Sequence, residues 1–342
     1  MAQCSGATLS GGRRAPVATL PHNRAMSSSE CWLLTDGAAG NLQQARALAH
    51  GLGVAAEPID LHPRAPWRWL APRLLAGAGQ AWGTEFARRL HQPPALAIGC
   101  GRQGALAARL LRQRHGGRCR SVQILDPRID PAAFDAVVAP LHDGLAGANV
   151  VHCLGSLTAI DAEWLQQARQ RSAALATLPQ PLTLLSVGGP TARMAMTPRW
   201  FAALAAVLEH WLERDGGSLL VSTSRRTPAW LRSALRHRFA GVAGRQWHGP
   251  ADGENPYPGF LAHATRIVVS ADSSNLLSEA AAVGVPVLVH GSARGKLALL
   301  YRELLQRGHV RPLTRDYQPW TVEPLRELPR VAAQVNALLQ RR

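Results

Sequence analysis

The feature that most constrains this chain is a pattern that occurs twice. From Cys31 onward, short apolar runs alternate with longer amphipathic stretches, and after Leu178–Pro181 the alternation begins again. Short apolar runs between helical patterns read as parallel strands joined by crossover helices. In the first half the pattern predicts strands at Cys31–Thr35, Val54–Ile59, Ala95–Ile98, Ser121–Leu125, Ala136–Val138 and Val150–Cys153. Helices are expected at Leu42–Leu52, around Ala105–Gln113 and over Asp161–Thr177. In the second half, strands are expected at Leu182–Val187, Ser218–Ser222, Arg266–Ser270 and Val285–His290. Between and after them come a helix capped by Thr197 with Pro198 at its first position, then Pro228–Arg238, Ser273–Val283, Leu297–Gln306 and Leu325–Arg341. The fold class is therefore α/β, with two doubly wound Rossmann-like domains facing a cleft. The expected boundaries are 29–178, 179–312, and a helical tail 313–342 that packs back on the domains. Ligands of such sheets bind beyond the carboxyl ends of the strands, so the loops there are where chemistry belongs.

A length of 342 residues suits two domains. No apolar run reaches the roughly 18 residues that a membrane helix needs. The chain carries 38 Lys+Arg against 22 Asp+Glu, a formal charge of +16. That excess implies an anionic partner: phosphate, nucleic acid or a membrane surface. Lys296 is the only lysine, so the load is almost wholly arginine. No zinc-finger, RRM or KH pattern occurs, and no nucleic-acid partner is expected. The five cysteines form no C-x-x-C pair, so neither a metal site nor a disulfide framework is expected. Residues 1–28 are Ser/Gly/Arg-rich, contain no acid and lack the apolar core of a secretory signal. They are expected to be a disordered extension, with Met1 or Met26 as the start, on a cytoplasmic protein.

Gly99-Cys-Gly101-Arg-Gln-Gly104 is a G-x-G-x-x-G between strand and helix, and Asp126 lies 22 residues further on. That spacing fits a dinucleotide site. The motif falls on the third strand rather than the first, and no Tyr-x-x-x-Lys pair of a short-chain epimerase is present. The alternative is a tight strand-to-helix turn whose helix start, beside Arg102, holds an anion.

Three loops of the second half together suit a diphosphate. Gly188 and Gly189, followed by Arg193, allow close backbone approach. Ser224, Arg225 and Arg226 combine a hydroxyl donor with two guanidiniums. Asp272, Ser273 and Ser274 open a helix whose free amides and dipole favour an anion. Glu279, further along that helix, could accept bonds from a ribose diol. Asn255 and Tyr257 lie in a Gly/Pro-rich loop that could contact a base or sugar. In the first half, Asp36, His142 and Asp143 are candidate general bases; Asp36 could equally cap the following helix. Trp67, Arg68, Trp69 and Arg73 mix aromatic and cationic side chains, as an interfacial patch on anionic lipid would, or as an ordinary amphipathic helix.

The runs Ser224-Arg-Arg-Thr-Pro228, Gly253-Glu-Asn-Pro-Tyr257, Ser270-Ala-Asp-Ser-Ser-Asn-Leu-Leu-Ser-Glu-Ala280 and Gly284-Val-Pro-Val287 resemble those of the elongated-mitochondria fission-protein family. So do Asp36-Gly-Ala-Ala-Gly-Asn41 with Gln44, Asp126-Pro-Arg128, Pro140-Leu-His-Asp143 and Asn149-Val150. The resemblance spans about Cys31 to Arg311. Members are similar to two-domain GT-B glycosyltransferases, which implies a nucleoside-diphosphate sugar as donor substrate, no cofactor, and a donor site at Ser224, Arg225, Arg226, Asp272, Ser273, Ser274 and Glu279. The implied activity is a metal-independent glycosyltransferase with a lipid-linked or envelope acceptor, peripheral on the inner membrane face. The alternatives are a non-catalytic adaptor, as the plant members are described, and an NAD-dependent nucleotide-sugar epimerase.

Overall fold

The computed structural model describes residues 31–192 and 194–341. The expected extension 1–28 and Arg193 lie outside the described residues. The first sheet holds β1 (Cys31–Thr35), β2 (Ala56–Asp60), β3 (Leu96–Cys100), β4 (Arg120–Ile124), β5 (Ala136–Pro140) and β6 (Val150–Cys153). Its order is β2-β1-β3-β4-β5-β6 and every pairing is parallel. The second sheet holds β7 (Leu182–Val187), β8 (Ser218–Thr223), β9 (Gly244–Trp247), β10 (Arg266–Ser270), β11 (Val287–His290) and β12 (Arg311–Pro312). Its order is β12-β11-β10-β7-β8-β9, again parallel throughout. In both sheets the order reverses beside the first strand, which opens a crevice at the carboxyl ends.

The helices are α1 (Ala39–Gly51), α2 (Trp67–Leu70), α3 (Gly83–Arg89), α4 (Gly101–His115), α5 (Ala162–Arg171), α6 (Pro198–Asp215), α7 (Ala229–Arg238), α8 (Tyr257–His263), α9 (Ser274–Val283), α10 (Lys296–Gln306) and α11 (Leu328–Gln340). Central strands are buried along their whole length, because helices cover both faces. Alternation across the pleat is explicit in β1. Cys31 and Leu33 enter one apolar cluster, whereas Trp32 and Leu34 enter the cluster on the opposite face. Caps fall where short polar side chains allow. Asp161 accepts from Trp164 N at 2.8 Å, and Thr197 accepts from Trp200 N at 3.2 Å with Pro198 following.

The helices that follow each sheet pack across to the other core. Leu165 and Ala168 of α5 are buried in the core of the second domain, together with Leu154 and Ile160 before them. The prolines at 179 and 181 mark where the chain re-enters a sheet; the apolar face of α5 has already crossed over. At the other end of the chain the crossing runs in reverse. Leu328, Val331 and Val335 of α11 join the core of the first domain, and Glu327 Oε2 accepts from Leu154 N at 2.7 Å. Each domain thus lends a helix to the other. Among the described residues no helix is long and apolar enough to cross a membrane.

Candidate functional site

Three strand ends of the second domain converge on one cleft of about 590 Å³. After β7 the chain turns through Gly188 and Gly189. A Cβ on Gly188 would overlap the Asp272 carboxylate, and one on Gly189 would overlap Arg226, so only glycine lets these loops touch. Gly188 N donates to Ser270 Oγ at 2.8 Å, and Gly189 N donates to Asp272 Oδ2 at 2.8 Å. After β8, Thr227 Oγ1 donates to the Gly188 carbonyl and accepts from Ser224 N at 3.0 Å. This fastens the Ser224–Arg226 turn to the β7 loop.

Asp272 is the hub. Its side chain is fully buried, accepts from Ser270 Oγ at 2.5 Å, and pairs with Arg226 Nη2 at 2.9 Å. The sequence marks it as a ligand contact, but it does not line the cleft; it orders the groups that do. Arg225 and Arg226 both line the cleft and are exposed. Ser273 caps α9, accepting from Leu276 N at 3.4 Å, and faces the same space. Two guanidiniums, serine hydroxyls and a helix start therefore line the same cleft, a combination that favours an anion.

Further along the wall, Tyr257 donates its hydroxyl to Glu279 Oε2 at 3.1 Å. Burial pushes the Glu279 carboxyl up to about 7, and burial raises the Tyr257 phenol well above its ordinary value. Asn255 Oδ1 accepts from Tyr257 N at 3.0 Å, which fixes the loop that carries both. Trp247, at the end of β9, also faces the cleft, with its indole N–H held by the Gly253 carbonyl at 3.0 Å. Gly244-Arg-Gln-Trp247 has no apolar run, so nothing in the sequence pattern marks this tryptophan. Its indole and the Tyr257 ring are two aromatic surfaces on this wall.

The opposite wall is the turn between β1 and α1, at Ala38–Asn41. Asp36 does not point into the cleft. It accepts from Ala38 N at 3.2 Å and Asn41 Nδ2 at 2.9 Å, and so orders the turn. A Cβ on Gly40 would overlap Asn275, and Gln44 Nε2 donates to Asn275 Oδ1 at 3.3 Å across the domain boundary. The two domains meet again where Ser156 N donates to Ser278 Oγ at 2.9 Å and Ser156 Oγ donates to Ser274 Oγ at 3.2 Å. Ser274 is thus turned away from the nucleotide-sized cleft toward a smaller cavity.

That second cavity, about 280 Å³, holds His142 and Asp143. Lys296 Nζ of α10 reaches from the second domain to Asp143 at 2.7 Å and to Asp126 at 3.7 Å. Burial depresses His142, more than neighbouring Asp143 raises it, and its Nδ1 is buried without a partner. Asp126 also accepts from Arg128 N at 2.7 Å. Gly99 and Gly104 are used for packing: a Cβ on either would strike the other's backbone or Leu34 O, which seats α4 against the sheet. Four buried thiols, Cys31, Cys100, Cys119 and Cys153, are all pushed upward by burial, Cys31 and Cys119 to about 12, and so are poor nucleophiles and ligands. No group of His, Cys, Asp and Glu among the described residues is arranged to hold a metal ion.

Two parallel Rossmann-like domains with exchanged helices and a cleft at facing strand ends define a protein of the GT-B-like class. Among solved structures the fold is shared with UDP-GlcNAc 2-epimerase from Methanocaldococcus jannaschii (TM-score 0.54, 12% identity, 91% of this chain and 93% of that one). It is shared also with UDP-N-acetylglucosamine 2-epimerase from Rickettsia bellii (TM-score 0.50, 11% identity, 91% and 96%). At such identities the likeness is one of fold. Within that class, the chain belongs to the mitochondrial fission ELM1 family, whose model matches residues 39–339. It is 29% identical over 293 residues to mitochondrial fission protein ELM1 of Arabidopsis thaliana, covering 75% of this chain and 67% of that protein. It is 26% identical over 301 residues to an uncharacterised protein of Rickettsia prowazekii, covering 75% and 82%.

Proposed function

We propose that the cleft binds a nucleoside-diphosphate sugar and that the protein transfers the sugar to a hydroxyl acceptor, lipid-linked or of the cell envelope. One observation carries this reading: Arg225, Arg226 and the start of α9 surround the same space that the Tyr257–Glu279 pair and Trp247 line further along. A diphosphate fits the first group, and a ribose and base fit the second. In the transfer step the acceptor oxygen bonds to the anomeric carbon. The bond from that carbon to the diphosphate oxygen breaks, and its electron pair leaves with the diphosphate. Arg225, Arg226 and the α9 dipole stabilise that charge. The acceptor proton passes to Asp143, which lies in the adjoining cavity. Asp36, committed to its own turn, has no part in this scheme.

Titration calorimetry of the full chain with UDP-, GDP-, ADP- and CMP-sugars tests the reading. One of them is expected to bind in the micromolar range, with affinity lowered at least tenfold in Arg225→Ala. No binding by any of them to folded protein would refute it.

A second reading is a non-catalytic adaptor; the plant relative is named only as a mitochondrial fission protein. The exposed patch of Trp69, Leu70 and Leu75, flanked by Arg68 and Arg73, favours it. Trp69 is 66% exposed and carries Arg68 5.7 Å from its ring centroid. Trp67 instead packs on the core, with a buried indole N–H, and anchors the patch from beneath. Such a surface suits an anionic membrane.

A further inference from the structure

The second cavity has features that proton transfer alone does not require. Arg102 and Arg128 both line it, both are exposed, and neither guanidinium has a hydrogen-bond or ion-pair partner among the described residues. The acids beside them are already engaged: Asp143 and Asp126 by Lys296, and Asp126 by Arg128 N as well. The lining thus carries three cations, Arg102, Arg128 and Lys296, against two carboxylates, and the two guanidiniums are the cations without an ion-pair partner among the described residues. His142 lines the same cavity, and its Nδ1 is buried without a partner among the described residues. Among the described residues, the only two outside glycine with positive φ are Leu125 (71°) and Arg128 (58°), and both line this cavity. A leucine in that region is strained, and such strain persists where the surroundings hold a residue for a purpose.

The cavity also adjoins the nucleotide-sized cleft. Ser274 lines the one while Ser273 and Asn275 line the other, and Gly101 of the cavity packs against Asn41 of the cleft. A compound here would lie beside whatever occupies the larger space.

We propose that this cavity is the acceptor site, and that the part of the acceptor it holds carries both a hydroxyl and an anionic group, a carboxylate or a phosphate. Arg102 and Arg128 hold the anion, since paired guanidiniums match either group bidentately. The hydroxyl then faces His142 and Asp143. Lys296, the only lysine of the chain, closes the cavity from the opposite domain, so the site is complete only while the two domains are together. The inference rests on the reading of the adjoining cleft as a donor site.

The test is titration calorimetry of the full chain, in phosphate-free buffer, with glucose 6-phosphate, glucuronate and neutral glucose, and separately with UDP. At least one charged sugar is expected to bind one per chain and at least tenfold more tightly than glucose. Preference for glucose 6-phosphate assigns the site to phosphates, and preference for glucuronate assigns it to carboxylates. Arg102→Ala with Arg128→Ala is expected to abolish the difference while UDP affinity changes less than twofold. Both side chains are exposed, so the variant should melt with the wild type; Arg128→Gln alone reads the same difference should it not. Glucose binding as tightly as both charged sugars, or charged-sugar binding unaltered in the variant, overturns the proposal. Arginine-dependent binding of a charged sugar without any binding of UDP would uphold this site and refute the donor reading instead.

Discussion

Glu279 is the cleft carboxylate that burial brings into the neutral pH range. Its carboxyl ordinarily titrates at 4.5 and is raised by burial to about 7. In the unfolded chain the proton leaves near the ordinary value, so the folded chain holds it more tightly. The associated stability is complete below about pH 4.5 and is lost as pH rises through about 7. Denaturant melts should therefore show wild type losing stability relative to Glu279→Gln across that window, with a constant difference at higher pH. A flat or opposite trend would contradict the burial. If the ionised form accepts ribose hydroxyls, UDP-GlcNAc affinity should rise between about pH 6 and pH 8, and Glu279→Gln should remove the rise. Asp272 makes a different prediction. Substituting Asn leaves Gly189 N or Ser270 Oγ without its acceptor in a buried place, which costs about 1–3 kcal/mol. Chemical denaturation measures it, and Arg225→Ala should show no such loss. Residue identities at these positions were legible in sequence, but the division of labour was not. A buried hub and a ligand contact look alike as one Asp in a Ser-rich loop.

At the scale of elements, strands with apolar runs were legible because a sheet covered on both faces buries every residue. β9 was not, because an edge strand has half its surface in water and Gly244-Arg-Gln-Trp247 shows no pattern. The exchange of α5 and α11 was also hidden, since amphipathicity tells that a helix buries a face but not against which sheet. It has a measurable consequence. Ending the chain at Glu327 removes Val331 and Val335 from the first domain, although neither precedes β6 in the chain. That truncation should expose the core, seen as dye binding and lost near-ultraviolet dichroism, while Leu165→Ala should cost about 2–5 kcal/mol through the second domain. The patch on α2 belongs to this scale too. Trp69→Ala with Leu70→Ala should abolish sedimentation with phosphatidylserine-containing vesicles, and high salt should weaken the wild-type binding. Unchanged sedimentation would remove the membrane role.

For the whole molecule, the double α/β pattern was enough to place two sheets and a cleft, because loops at carboxyl ends have only one place to go. What joins the domains was not, since Gln44–Asn275, Ser156–Ser278 and Lys296–Asp143 each link positions more than a hundred residues apart. The net charge of +16 acquires a location. Part of it stands at Arg225 and Arg226, part at Arg102 and Arg128, and part beside the exposed aromatics of α2. A crystal structure of the protein grown with saturating UDP-GlcNAc, or with whichever nucleotide sugar binds tightest, decides whether the larger cleft is a nucleotide-sugar site. The diphosphate is expected between Arg225, Arg226 and the start of α9, with the ribose within hydrogen-bond distance of Glu279. A nucleotide seated elsewhere, or a cleft holding only solvent at saturation, would contradict it.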